Sequence, residues 1–399
     1  MSTINLTTGT DNLTGTSEDD TFLATYNDGP TDYTFGVSDV LDGGAGTDTL
    51  DIDTNHVGAI TPLDAYWSDL SNIEKVVIHG GVGAQTITTG SAFNASFAAG
   101  VDLATSSNAG AITLTMGSFT GDAVIAMTST DGVQTFTSGS GHTTVIANST
   151  AGAQTITGPG LEVVTATSTH GVQTITGANL TSVTATSMDG AQTITGSHMF
   201  EVNAHTTGAQ TITMGSGANR IVASSTAEDN AIVSKAGDDV ISVEAATGRY
   251  HINAGSGHDS VKGGEGDDHL VGGTGKDVIH GGAGNDMLMG GAGRDNLTGG
   301  TGNDSFVLNS KNGFDTITDF SVTDDTISID SSIFTSLTAI AADNLVIGAH
   351  AVDANDFLVY NSNTGKLFYD ADANGAGHAV VIAVLGVDLG LTSADFSVI

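Results

Sequence analysis

Residues 254–307 divide without a gap into six frames of nine residues, and no other feature limits the fold of this chain so tightly. The frames begin at Ala254, Gly263, Gly272, Gly281, Gly290 and Gly299. Gly281-Gly-Ala-Gly-Asn-Asp-Met-Leu-Met is representative, with glycine at positions one, two and four, aspartate at six and an apolar residue at eight. Five frames keep both leading glycines, and all six keep the aspartate: Asp259, Asp268, Asp277, Asp286, Asp295 and Asp304. The apolar column is Val261, Leu270, Ile279, Leu288, Leu297 and Phe306. A flexible acidic linker has no reason to hold a nine-residue apolar register. One short strand per frame cannot bury its own apolar side, so successive frames must stack as coils.

Glycine allows the left-handed dihedrals of a tight loop, which turn backbone carbonyls inward. One aspartate per loop adds charge and a side-chain oxygen. Calcium, a hard cation taking six to eight oxygens, suits such a donor set. The expected ligands are the six aspartates with loop glycines Gly263, Gly264, Gly266, Gly272, Gly273, Gly275, Gly281, Gly282, Gly284, Gly290 and Gly299. Frames alternate between the two edges of a flattened coil, so loops 254, 272 and 290 stack on one edge and 263, 281 and 299 on the other. An ion between adjacent loops of one edge gives roughly four complete sites. Without the ion, like charges stack in rows and glycine's unfolded-state entropy keeps the segment disordered. Metal binding then becomes folding free energy. Asp48 holds the same position in an isolated frame, Gly43-Gly-Ala-Gly-Thr-Asp-Thr-Leu-Asp. Asp39, just before that frame, and Asp315, just after the last one, complete the candidate ligands.

A second repeat lies upstream. Gly-x-Gln-Thr-Ile-Thr occurs at Gly83, Gly132, Gly152, Gly171, Gly190 and Gly208, with Phe136 in place of isoleucine once. A degenerate copy, Gly110-Ala-Ile-Thr, sits in the wide gap. Val145, Val164, Val183, Val202 and Ile221 recur every 19 residues, each followed two places on by alanine. Alternation of period two with β-branched residues predicts short strands. Two nonapeptides make about the same length as this repeat, so a single solenoid over 82–308 is expected, with Gln154, Gln173, Gln192 and Gln210 forming a ladder where aspartate would stand. The threonines beside each isoleucine point outward and predict a neutral Thr-x-Thr face. Only seven charged residues lie within 82–222.

The predicted fold class is all-β: a parallel β-solenoid or β-roll of 9+9(10)-residue turns, capped at both ends. Its expected parts are an N-terminal β-rich cap over 1–81, threonine-rich coils without calcium over 82–233, a calcium-binding roll over 234–308 and a C-terminal cap over 309–399. Acids outnumber bases 45 to 9. That excess argues against nucleic acid or an anionic membrane as partner and favours a cation. Cysteine is absent, so there is no disulfide framework and no thiolate chemistry. The longest apolar run, Ala379 to Leu385, is too short to span a bilayer. Met1-Ser-Thr-Ile-Asn-Leu-Thr-Thr-Gly shows no basic or apolar stretch of a signal peptide.

The nonapeptides resemble those of the RTX family of type I secreted proteins. Gly313-Phe-Asp-Thr-Ile-Thr-Asp-Phe, Asp325-Thr-Ile-Ser-Ile, Gly365-Lys-Leu-Phe-Tyr-Asp-Ala-Asp-Ala-Asn-Gly and Ala394-Asp-Phe-Ser-Val-Ile are similar to the end of serralysin-type RTX modules. The likeness covers 254–335 closely and 336–399 loosely. It implies an uncleaved C-terminal export signal, the type I secretion machinery as partner, and an extracellular or cell-surface location. Val40-Leu-Asp-Gly-Gly-Ala-Gly-Thr-Asp-Thr-Leu, with Leu70-Ser-Asn-Ile-Glu-Lys-Val-Val-Ile, resembles RTX-type bacterial surface-layer proteins.

No catalytic activity is expected. HExxH and GxSxG are both absent, and acidic pairs such as Asp267-Asp268 read as metal loops. The leading functional expectation is self-assembly, as a surface layer or in adhesion. Ice binding through the threonine face, glycan contact, and an enzyme acting on extracellular polysaccharide are the alternatives.

Overall fold

The computed structural model describes residues 1–26, 34–54, 64–198, 201–375 and 377–399. They form two compact units, Met1–Gly208 and Ala209–Ile399. Both are parallel β-solenoids, as the alternating pattern predicts.

In the first unit one ladder of parallel strands runs through Thr3–Asn5, Thr21–Thr25, Thr49–Thr54, Lys75–Gly80, Val101–Ser107, Ala123–Ser129, Thr143–Ser149, Leu161–Ser168, Ser182–Ser187 and Glu201–His205. A second ladder stacks Gln85–Thr88, Ile112–Thr115, Gln134–Thr137, Gln154–Gly158, Gln173–Gly177 and Gln192–Gly196. A third, short sheet holds Asn12–Thr14, Val40–Asp42 and Leu70–Ser71. The described residues of 1–81 thus also form parallel coils, continuous with the first ladder of this unit. The first two ladders face each other across an aliphatic core. Ile87, Leu114, Phe136, Ile156, Ile175 and Ile194 come from one side, Val145, Val164, Val183 and Val202 from the other, all buried. Ile112 pairs with Gln85 and Gln134, and so fills the glutamine place in the degenerate copy. The wide gap holds a helix, Ser91–Ser96, that the repeat pattern did not announce. Its Phe93 joins Phe35, Trp67, Phe97 and Phe119 in a cluster with ring centroids 4.5–6.5 Å apart.

The glutamine ladder is present over Gln134, Gln154, Gln173 and Gln192, and Gln210 Oε1 accepts from the Tyr250 hydroxyl. Gln154 Nε2 donates to Gln134 Oε1 at 2.8 Å, Gln173 to Gln154 at 2.9 Å and Gln192 to Gln173 at 2.8 Å. These side chains are buried. An amide carries donor and acceptor together, so a buried stack of amides pairs itself without an ion.

In the second unit one ladder stacks Arg220–Ser224, Val240–Ser242, Ser260–Lys262, Val278–Ala283, Asn296–Thr301 and Asp315–Ile317. The other stacks Gln210–Thr213, Asn230–Val233, Tyr250–Gly257, His269–Gly275, Met287–Gly293, Ser305–Leu308, Thr326–Ile329 and Phe396–Val398. Past residue 308 the regular repeat stops. Leu358–Asn361, Lys366–Tyr369 and Val380–Val384 pair antiparallel, and the last of them lies against Asp315–Ile317. A strand edge that would otherwise offer free N–H and C=O groups is thereby occupied. Among the described residues no helix is long and apolar enough to cross a membrane.

Candidate metal centre

Each nonapeptide makes a glycine loop followed by a short strand, and the strand fixes the loop. Val261, Ile279 and Leu297 stack in register along one ladder, Leu270, Leu288 and Phe306 along the other, all fully buried. Burial of such a side chain contributes about 1.5–3 kcal/mol, and it locks the aspartate two residues earlier at the coil edge.

The aspartates form two chains of hydrogen bonds. On one edge the backbone N–H of Asp239 donates to Asp259 Oδ1 (2.8 Å), Asp259 to Asp277 (2.9 Å), Asp277 to Asp295 (2.8 Å) and Asp295 to Asp315 (3.3 Å). On the other edge Asp268 donates to Asp286 (2.8 Å), Asp286 to Asp304 (2.9 Å) and Asp304 to Asp325 (3.0 Å). The six frame aspartates are all 1–2% exposed. The alternation of frames between two edges is therefore seen directly.

What the second carboxylate oxygen lacks tests the fit to a cation. Oδ2 of Asp48, Asp239, Asp259, Asp277, Asp286 and Asp295 is buried with no hydrogen-bond partner. A buried carboxylate oxygen left bare is costly, and a bound cation removes that cost. Burial accordingly pushes the carboxyls of Asp259, Asp268, Asp277 and Asp304 up to about 6, that of Asp286 to about 7 and that of Asp315 to about 8. Desolvation leads in each case, and neighbouring carboxylates add to it.

The glycines complete the donor set. A Cβ on Gly263, Gly272, Gly281, Gly290 or Gly299 would collide with Oδ2 of the aspartate five residues on. Gly273 and Gly282 have φ of +112° and +118°, and a Cβ there would strike the carbonyl oxygen of Gly255 or Gly264, one coil earlier. A Cβ on Gly275 or Gly284 would meet the carbonyl of Gly257 or Gly266 in the same way. Carbonyls thus project toward the space between coils, where only glycine leaves room. Among the described residues no three histidine, aspartate or glutamate side chains gather as a metal cluster. A carbonyl-rich site with one or two carboxylates suits a hard cation and does not suit zinc or copper.

The structure also places residues that sequence reading passed over. Asp239 and Asp325 extend the two chains at opposite ends. Their signal was the short pattern Asp-x-Ile, in Gly237-Asp-Asp-Val-Ile and Asp324-Asp-Thr-Ile. In the first unit Asp20 N–H donates to Asp48 Oδ1 (2.7 Å), while Asp48 N–H reaches Glu74 Oε2 (2.8 Å). Asp39 differs, since its Oδ1 accepts from Asp11 N–H (3.0 Å) and its Oδ2 from Gly36 N–H (2.7 Å). Both oxygens of Asp268 are likewise held, by Tyr250 and Gly264 N–H groups.

Residues 38–51, 253–288, 271–306 and 280–317 match the family described as RTX calcium-binding nonapeptide repeat. The chain carries RTX calcium-binding repeats. Calcium is the ion such repeats bind. The RTX matches include Asp259, Asp277, Asp286 and Asp295, whose Oδ2 atoms are bare, and the isolated frame around Asp48. No curated protein matches the chain. The solution structure of the AlgE6R3 subunit of the Azotobacter vinelandii mannuronan C5-epimerase is similar to part of it, with 25% identity over 34% of this chain and 77% of that one, at a TM-score of 0.24. The expectation of a chain without catalytic activity is corrected at this point. The solved subunit that is similar to part of this chain comes from a mannuronan C5-epimerase.

Proposed function

We propose that the protein is an extracellular calcium-dependent assembly module, which folds its nonapeptide roll on meeting calcium and associates with further copies at the cell surface. Calcium held between coils by Asp259, Asp268, Asp277, Asp286, Asp295 and Asp304, with the glycine carbonyls, is the folding trigger. Asp48 and Asp315 serve incomplete sites at the margins. One observation carries this reading: a row of buried carboxylates whose Oδ2 atoms have no protein partner. Such a roll is stable only where calcium is plentiful, as it is outside cells.

Assembly is supported by the first unit. Its threonine-rich coils over 82–208 carry only six charged residues, and Val133 and Val172, at equivalent places beside the glutamine ladder, are 46% and 47% exposed. Electron microscopy of the purified protein tests the proposal. Ordered sheets or filaments should form with calcium and vanish with chelator. Dispersed particles under both conditions would reject assembly.

A second reading rests on the threonines. Thr113, Thr135, Thr155, Thr174 and Thr193 stand in register across five strands, and Thr115, Thr137, Thr157, Thr176 and Thr195 form a parallel column. Neighbouring strands lie about 4.8 Å apart, and alternate residues along a strand about 6.6 Å apart. A neutral hydroxyl lattice of this kind suits ice. Thermal hysteresis that disappears in Thr193→Lys would support it, and none in the wild type would end it.

A further inference from the structure

The hairpin between Lys366–Tyr369 and Val380–Val384 turns through Asp370-Ala-Asp-Ala-Asn-Gly. Carboxylate, carboxylate and carboxamide at positions one, three and five, with glycine at six, is the spacing by which a single loop wraps oxygens around calcium. The nonapeptide ladder does not include this loop.

Spacing alone would not make a site, but Asp370 supplies an independent observation. Its side chain is 7% exposed, and its Oδ1 is buried without a hydrogen-bond partner. The carboxylate borders a surface hollow of about 390 Å³ that Asn374, Gly375, Gly377 and His378 also line. The side chains of Asp372 and Asp370 lie within hydrogen-bonding reach of each other. The rest of the turn is shaped around Asp372. Gly377 N–H donates to its Oδ2 at 2.9 Å, and Gly375 N–H to its backbone carbonyl at 2.9 Å. Ala373, between the two acids and the asparagine, takes the left-handed conformation at φ 55°. Two abutting carboxylates, one buried with a bare oxygen, call for a cation between them.

We propose that Asp370, Asp372 and Asn374 bind one calcium ion in a loop site separate from the nonapeptide ladder. The twelfth position, where a bidentate glutamate closes a high-affinity loop, is Val381. The site is therefore a weak one, in the range of roughly 10⁻⁴–10⁻³ M found for extracellular modules. Occupancy staples the hairpin that lies against Asp315–Ile317.

Equilibrium dialysis of the full chain against radioactive calcium at about 10 mM, above that range, counts the ions. Asp372→Asn should bind one ion fewer than wild type, while the calcium-induced circular dichroism of the nonapeptide roll is unchanged. Asp372 is exposed, so this change leaves the core intact. An unaltered ion count in Asp372→Asn overturns the proposal. Asp370→Asn gives a second measurement, because it removes the buried charge. Its melting temperature should exceed wild type in chelator and lose that advantage in calcium. A melting temperature equal to or below wild type in chelator also overturns it.

Discussion

The backbone N–H of Asp277 donates to Oδ1 of Asp295, 2.8 Å away and one coil further along, while Oδ2 of Asp295 is buried and has no partner. In Asp259, Asp277, Asp286 and Asp295 half of the carboxylate belongs to the protein and half is left for the ion. That division predicts how the roll responds to mutation, to pH and to chelation.

Asp286→Asn should separate metal binding from stability. The amide oxygen still accepts from Asp268 N–H, and the charge that burial disfavours is gone. Calcium affinity should fall at the two gaps that loop serves, while the chelated protein gains on the order of 1–3 kcal/mol. Calcium titration and denaturant melts with and without chelator measure both effects. A loss of stability in chelator would contradict the account.

Chelation at neutral pH should remove β-structure from 254–307 and open that segment to protease, while the glutamine-laddered coils of the first unit stay protected. Limited proteolysis followed by mass spectrometry reads the boundary. Protection of 254–307 in excess chelator would be the adverse result.

Acid should partly replace the ion. The carboxyls of Asp259, Asp268, Asp277 and Asp304 stand near 6 and that of Asp286 near 7, against an ordinary 3.8. The folded roll therefore binds more protons than the unfolded chain between about pH 4 and 7. Stability of the chelated protein is greatest below about pH 4 on this account, and is lost as the pH rises through 6 to 7. Melts in chelator from pH 4 to 8 should show this fall, and saturating calcium should flatten it. A chelated protein that gains stability with rising pH would refute it.

Gln173→Ala should destabilise the first unit by about 1–3 kcal/mol. It strips a partner from Gln154 Oε1 and from Gln192 Nε2, both buried. Calcium stoichiometry should not change. Comparison of melts and ion counts with the wild type checks both statements.

The nonapeptides were legible because a nine-residue period places glycine, aspartate and an apolar residue where coil, ion and core each need them. The glutamine ladder was legible for the same reason. The N-terminal coils were not. Thr21, Thr49, Lys75 and Asp102 occupy equivalent rungs at intervals of 28, 26 and 27 residues. Ser260, Val278 and Asn296 do so at intervals of 18. Long coils carry loops of free composition, and the period dissolves in them. The helix Ser91–Ser96 hid for a related reason: its first N–H groups are capped by Asp64, far back in the chain, and Gly90 before it leaves no local start signal. Asp239 and Asp325 escaped because their frames had lost the leading glycines but kept the carboxylate.

The two hydrogen-bond chains end on Asp315 and Asp325, beyond the last nonapeptide. Excision of the six frames would strand the amides of Asp295 and Asp304 at a raw boundary. The repeats are therefore no portable cassette: anyone grafting them onto another protein must transplant the strands bearing those two acids as well.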